Sequence, residues 1–441
     1  FIINYFFILF LQNRKKKELI FIILFTSITT FILITNSNIN RPDAGLYHLP
    51  YISILQENKL ILGLTNIHYR FGHISIFQYI SAIFNNYFFK EEFLNIPLAS
   101  LFSFFLLFLF KELNSSFKKK NNMEIIPIFF IIIFSLYSFN RYSGYGNDAP
   151  ASIFFFILII VTLKIDDIKN INSSEFFNIL IISIFLFTIK PSMIIVLVLP
   201  LLLFFYNKNK LKILKNKNSL ICTILLATWI IKNILISGCL VFPLKITCFE
   251  KLKFYDEEII NIASNEAEAW SKGYPDSIKK INFKQYNSNF NWVKTWFNNH
   301  FLKIQEKLLP LLLFIFLFLL KNIIKSLINK SFNFKKKFDN KKILLIIVMS
   351  LYCSIFWFLK FPVYRLGLSF ISTLVIFLSI FIFVDKNKSL YNNKVYLSII
   401  GIGLSLFYAK NFNRIIDNYD VIYNNSPWPK IYSMDEKDKN I

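Results

Sequence analysis

Two aspartates stand beside apolar runs, each with an arginine and aromatic residues close in sequence. Asp43 follows Arg41 and Pro42 after one run, and Asp148 stands near the end of the segment Arg141–Pro150, just before another. An ionised carboxylate at the edge of a membrane span is costly unless it is solvated or paired. Aspartate is also a favoured helix N-cap, so capping is the alternative at both positions. On one face, the two acids can divide base and orienting roles or hold a divalent cation.

Several Lys and Arg residues also lie close in sequence to apolar runs. The four candidates for ligand binding are Arg70, Arg141, Lys190 and Arg365. Lys190 precedes Pro191 at a tight turn, and Arg365 follows Tyr364 just before a run. Arginine suits bidentate phosphate contact and lysine suits a point-charge contact. The alternative is an interfacial cation whose stem packs on apolar surface while its charge reaches water.

Histidines and cysteines add weaker signals. His48 and His68 lie in the same polar segment as Arg70 and are candidate substrate-binding residues. His68 and His73 are five residues apart, which is not the spacing of a histidine metal site. Cys239 and Cys248 fall in one polar segment and either pair, in an oxidising compartment, or stay reduced.

The elements that must position these residues are apolar runs. The chain has 441 residues, of which 55% are hydrophobic and 17% charged, whereas soluble domains carry about 25% charged residues. Since about 20 apolar residues cross a bilayer, the runs predict an all-α, polytopic transmembrane protein of about 11–12 spans. We treat residues 1–441 as one transmembrane domain, with 1–11 as the tail of a truncated helix.

The lysines orient the spans. The net charge is +24, and short lysine-rich segments alternate with segments rich in Trp, His and Asp. Excess Lys and Arg marks cytoplasmic loops, so this distribution argues for a membrane protein and against a nucleic-acid partner. The opposite side then receives a first external loop (36–93), a large external loop (238–307) and a C-terminal tail (410–441). The first loop is predicted to hold two interfacial helices, around Leu46–Leu55 and Ser75–Phe89.

Several enzyme and transport classes find no support. The sequence contains no Walker A loop, no GxSxG and no GxGxxG. ATP-driven transport and serine hydrolysis therefore lack their characteristic residues. Tryptophans and glutamates of the large external loop, among them Trp270, Glu266 and Glu268, suit either sugar stacking or anchoring at the membrane interface.

Taken in order, these segments resemble the GT-C superfamily of integral-membrane glycosyltransferases, in an uncharacterised bacterial branch. The resemblance rests on residues 42–49, residues 63–70, Asn147-Asp148, Lys190-Pro191-Ser192, Ser237-Gly238 with Pro243, and Pro362 with Tyr364-Arg365. Each motif is short, and their order carries the similarity.

The resemblance implies a sugar transfer from a polyprenyl-phosphate donor to an acceptor at the extracytoplasmic face of a bacterial inner membrane. Asp43 would be the base or metal-organising acid, and Asp148 the second acid. Lys190 and Arg365 would contact the carrier phosphate. The large soluble C-terminal domain of such enzymes is absent, so a glycan, a lipid-linked saccharide or a small molecule is the expected acceptor. A divalent cation is one option for the cofactor.

Two other classes remain alternatives. A transporter or flippase for lipid-linked saccharides predicts charges near mid-membrane and an internal repeat, and the sequence shows neither. A glycan polymerase or ligase would use arginines in long external loops and would not need Asp43.

Overall fold

The computed structural model describes residues 16–35, 44–58, 60–73, 75–84, 94–137, 146–208, 210, 213, 216–274, 282–328, 340–384 and 392–417. Within these ranges the regular structure is helical, apart from an isolated bridge between Cys239 and Cys248. The helices are α1 (Lys16–Thr35), α2 (Leu49–Glu57), α3 (Ile76–Ile83), α4 (Ile96–Lys119), α5 (Asn122–Tyr137), α6 (Asp148–Leu163), α7 (Ser173–Ile189), α8 (Val198–Tyr206), α9 (Lys217–Ser237), α10 (Glu257–Ser271), α11 (Phe283–Asn287), α12 (Val293–Trp296), α13 (Leu302–Ile328), α14 (Lys341–Lys360), α15 (Tyr364–Phe383) and α16 (Asn393–Asp417). The predicted all-α class is confirmed.

Helix lengths support an integral membrane protein. In the described part of the chain, six helices are long and apolar enough to span a membrane, namely α1, α4, α9, α14, α15 and α16. Shorter apolar helices occupy Asn122–Tyr137, Asp148–Leu163, Ser173–Ile189 and Pro191–Tyr206. The last of these begins as a 3₁₀ segment, Pro191–Leu197, which packs back on α7.

The centre of the bundle is formed by short helices that are apolar all round. Nearly every side chain of α6 is buried, as expected for a helix without a polar face. Its Phe155 ring lies 4.8 Å from Phe370 of α15, and its Phe156 ring lies 6.0 Å from Phe134 of α5. By contrast, fewer than a third of the residues in the apolar stretches of α1, α9 and α16 are buried, as expected for helices that face lipid. Charged residues at the two ends of α6 therefore lie next to the apolar core of the bundle.

In the described part of the segment predicted as the first external loop (36–93), helices α2 and α3 lie where the two helices were predicted. A π-helical turn, Ala44–His48, leads into α2, and Ser75 caps α3. The Ser75 hydroxyl accepts from the Phe77 N–H, and Gln78 accepts from the Ser75 N–H, which is a capping box. Tyr51 of α2 donates to Tyr79 of α3 at 3.1 Å, which ties the two helices together.

The segment predicted as the large external loop (238–307) contains a disulfide and several helices. Cys239 and Cys248 form a disulfide, which decides between the two alternatives that their sequence left open. Gly238 ends α9 at φ 76°, a left-handed conformation that favours glycine. The loop also holds α10, α11 and α12, and α13 already begins at Leu302, inside the predicted bounds of 238–307. Likewise α16 runs to Asp417, so the predicted tail 410–441 starts within a helix.

Candidate functional site

A cavity of about 820 Å³ lies where several helix ends meet. It is lined from the start of α6, the end of α7, the end of α14 and the start of α15, together with residues of the two segments predicted as external loops, 36–93 and 238–307. Because these ends belong to neighbouring antiparallel helices, they lie at one end of the bundle. Of the candidates, Asp148, His48, Arg70, Lys190, Tyr364 and Arg365 line this cavity.

Asp148 is held between two cations. Lys190 Nζ donates to its Oδ1 at 2.6 Å, and Arg365 Nε lies 3.2 Å from its Oδ2. The arginine contact is an ion pair without the alignment of a hydrogen bond. Asn147, not Asp148, occupies the N-cap position of α6, so the capping alternative for Asp148 is not realised. The three side chains are 26–31% exposed, so the cluster is open to the cavity.

Arg365 is positioned by two tryptophans that bind the preceding turn. The indole N–H of Trp296 donates to the Pro362 carbonyl at 2.5 Å, and that of Trp357 donates to the Val363 carbonyl at 2.9 Å. A Cβ at Gly367 would come within 2.2 Å of the Trp357 ring. The absence of that carbon lets α15 pack closely on α14. Trp357 lies within an apolar run, so nothing in the sequence distinguished it from core.

Lys190 is positioned by the end of helix α7. It is the C-cap of α7, with an extended backbone (φ −151°, ψ 123°), and its N–H bonds the Leu186 carbonyl at 3.1 Å. A residue before proline is disfavoured in the helical region, so Pro191 explains the break. The turn predicted at this position is confirmed.

Arg70 forms part of the cavity wall with two aromatic rings. Its guanidinium lies 5.1 Å from the Tyr47 ring centroid, within cation–π distance. Its Nε donates to the Tyr69 hydroxyl at 3.2 Å. His68 does not line the cavity; its Nδ1 accepts the Arg70 backbone N–H at 3.1 Å and so supports Arg70 from behind. Burial, and then the Arg70 charge, lower the pKa of His68.

Three other histidines contact the cavity. His48 Nδ1 is 3.1 Å from the Gln78 side-chain amide. The pKa of His73 is lowered to about 4 by burial and by Lys190 and Arg70. Burial, Lys303 and Arg365 likewise lower the pKa of His300 to about 4. Both are therefore neutral near pH 7.

His73 and His300 were not among the predicted site residues. His73 Nε2 and both ring nitrogens of His300 are buried without a hydrogen-bond partner in the described structure. The usable signal for His300 was a helical stripe, since His300, Lys303 and Lys307 follow at intervals of three and four residues.

Two predicted residues, Asp43 and Arg141, lie outside the described residues. Among the residues that are described, no group of three or more His, Cys, Asp or Glu side chains could hold a metal. Asp148 does not suit a cation, because each of its oxygens already faces a positive charge. A metal role for Asp43 stays a prediction.

Comparison with known proteins identifies a family. Neither the curated proteins nor the solved structures contain a significant match to this chain. Residues 2–372 match the family described as "Domain of unknown function (DUF8201)". Since this match covers well over half of the sequence and includes every described residue of the cavity, the chain belongs to the DUF8201 family.

Proposed function

We propose that this protein is a GT-C-like membrane glycosyltransferase, which moves a sugar from a polyprenyl-phosphate donor to a glycan or lipid-linked acceptor at the extracytoplasmic face. The observation that carries the proposal is the cluster of Asp148, Lys190 and Arg365 in a large cavity at the end of an apolar bundle. Three separate segments contribute one charge each.

The charge of the cavity favours an anionic ligand. Its described lining includes five Lys and Arg side chains (Arg70, Lys190, Lys307, Lys360, Arg365) against two carboxylates (Asp148, Glu268), an excess of three positive charges. Apolar side chains such as Phe356 and Leu368 line the same space. A lipid-linked phosphate needs both features, since its chain is apolar and its headgroup anionic.

The proposed roles follow from this geometry. An acceptor hydroxyl attacks the anomeric carbon while the bond from that carbon to the phosphate oxygen breaks, and the phosphate leaves with the electron pair. Lys190 and Arg365 stabilise the charge that develops on the leaving phosphate. Asp148 holds these two cations in place, and a carboxylate between two cations is a weak proton acceptor. The acceptor proton therefore goes to another base, which the sequence predicts to be Asp43.

The test is transfer from a radiolabelled polyprenyl-phosphate sugar by the purified chain in lipid nanodiscs. We expect release of polyprenyl phosphate by the wild type and none by Asp43→Asn. Because the substitution removes only the base, Asp43→Asn should still insert and bind the carrier. Near-normal turnover by Asp43→Asn would remove Asp43 from the mechanism, and no release by the wild type from any polyprenyl-phosphate sugar would contradict the proposed function.

A further inference from the structure

Trp270 of α10 is an aromatic side chain at the cavity whose orientation is fixed by a chain of hydrogen bonds. It lines the cavity and is 42% exposed. Its indole N–H donates to Glu266 Oε1 at 3.2 Å, and the Tyr69 hydroxyl donates to the same oxygen at 2.6 Å. Arg70 in turn donates to Tyr69. The indole is thus tied to the wall that carries Arg70.

Packing holds the same ring. Tyr274 lies 5.8 Å from the Trp270 ring in an edge-to-face arrangement, and Tyr274 itself packs against Phe283 and Tyr286 at 4.9 and 5.1 Å. A large apolar ring that is immobilised and still exposed has surface available to a ligand without further loss of side-chain entropy.

The composition of α10 argues against anchoring at the lipid interface. Its 15 residues include four glutamates and no Lys, Arg or His. Interfacial helices carry basic residues on their polar face, because membrane surfaces are anionic. Three polar residues of α10 also line the same cavity, Ser264, Glu268 and Ser271. These groups suit a hydroxyl-rich ligand.

We infer that Trp270 is a saccharide-binding subsite, on which one pyranose ring of the acceptor glycan stacks. The C–H bonds on one face of a pyranose are weakly positive and pack against the negative face of the indole. The assignment of this ligand as the acceptor rests on the proposed function; the binding of a saccharide does not.

The experiment measures glycan binding without turnover. The 441-residue chain in nanodiscs is applied to a printed array of immobilised oligosaccharides that contains no polyprenyl phosphate. Trp270→Ala should weaken binding about tenfold through loss of the stacked ring, and Trp270→Phe should keep most of it. Ile262→Ala is the matched control, because Ile262 lies on the same helix, is 40% exposed and does not line the cavity.

Each outcome decides a separate question. Equal binding by Trp270→Ala and Ile262→Ala, or no binding by the wild type, would overturn the subsite. Loss in Trp270→Ala with retention in Trp270→Phe supports it and excludes misfolding as the cause. Glycan binding through Trp270 in a protein that releases no polyprenyl phosphate would leave the subsite standing and remove the proposed function.

Discussion

Charge clusters lie at both ends of α6, and they are built in opposite ways. At its start, the single carboxylate of Asp148 faces two cations, Lys190 and Arg365. Just beyond its other end, Lys164 lies between two carboxylates: it pairs with Glu112 and lies 3.9 Å from Glu124, while the exposed Lys111 lies 3.9 Å from Glu112. The 16 residues of α6 separate the clusters by about 24 Å.

The second cluster is closed on itself. Ser116 and Asn121 each donate to Glu124 at 2.8 Å, so its two oxygens are satisfied within the protein. Glu124 and Glu112 are 8% and 14% exposed, about half or less of the exposure at Asp148. A saturated, buried cluster holds helices together, whereas a partly exposed cluster with surplus positive charge can bind an anion. The net charge of a cluster and its solvent exposure distinguish a structural ion cluster from a ligand site.

Substitution of the cation in the closed cluster should have the largest effect. Lys164→Met leaves Glu124 without a cation and Glu112 with only the exposed Lys111 at 3.9 Å. Removing one partner of a buried ion pair costs about 3–5 kcal/mol of unfolding free energy. We expect a markedly lower melting temperature in detergent. Lys118→Met, at an exposed position in the last turn of α4, is the control and should melt like the wild type. Equal melting of both variants would show that the closed cluster has no structural role.

Substitution in the open cluster should affect binding more than stability. Lys190→Ala leaves Asp148 paired with Arg365, so melting should change little, while affinity for polyprenyl phosphate should fall about 10- to 100-fold. Binding can be measured by microscale thermophoresis in nanodiscs. Lys245→Ala is the matched control, because Lys245 pairs with Glu257 at an exposed position outside the cavity. A large loss of stability in Lys190→Ala without loss of affinity would make the two clusters alike.

Lowering the pH should reduce the stability of the protein through the cavity histidines, by less than the two lysine substitutions change stability or affinity. His73 and His300 have a pKa of about 4 in the folded chain, below the value of 6.5 expected when unfolded. Between these values the unfolded state binds more protons, so stability should fall as pH decreases from 6.5 towards 4. The melting temperature of His300→Gln should depend less steeply on pH over that range. An identical slope in wild type and variant would show that His300 does not contribute.

The sequence predicted elements better than contacts. Lysine-rich loops were sufficient to assign Asp148, Lys190 and Arg365 to one face, because charge asymmetry reports topology directly. That the three form ion pairs depends on the packing of α6, α7 and α15, which no single segment specifies. His68 illustrates the limit: its type and its position beside Arg70 suggested ligand contact, but the local turn directs its ring to a backbone N–H. The pairing of Cys239 with Cys248 was left open because spacing alone does not fix Cβ separation.

Because Gly367 has no side chain, α14 and α15 pack closely, and this close packing influences the electrostatic potential of the cavity. Gly367 is not among the residues that line the cavity, yet the indole of Trp357 occupies the space where its Cβ would lie. Since Arg365 stands two positions earlier on the same helix, the separation of α15 from α14 sets how far its guanidinium reaches towards Asp148. A substitution at such a position would move a charge within the cavity without altering any charged residue. A comparison of related chains that considers only ionisable positions would miss this kind of variation.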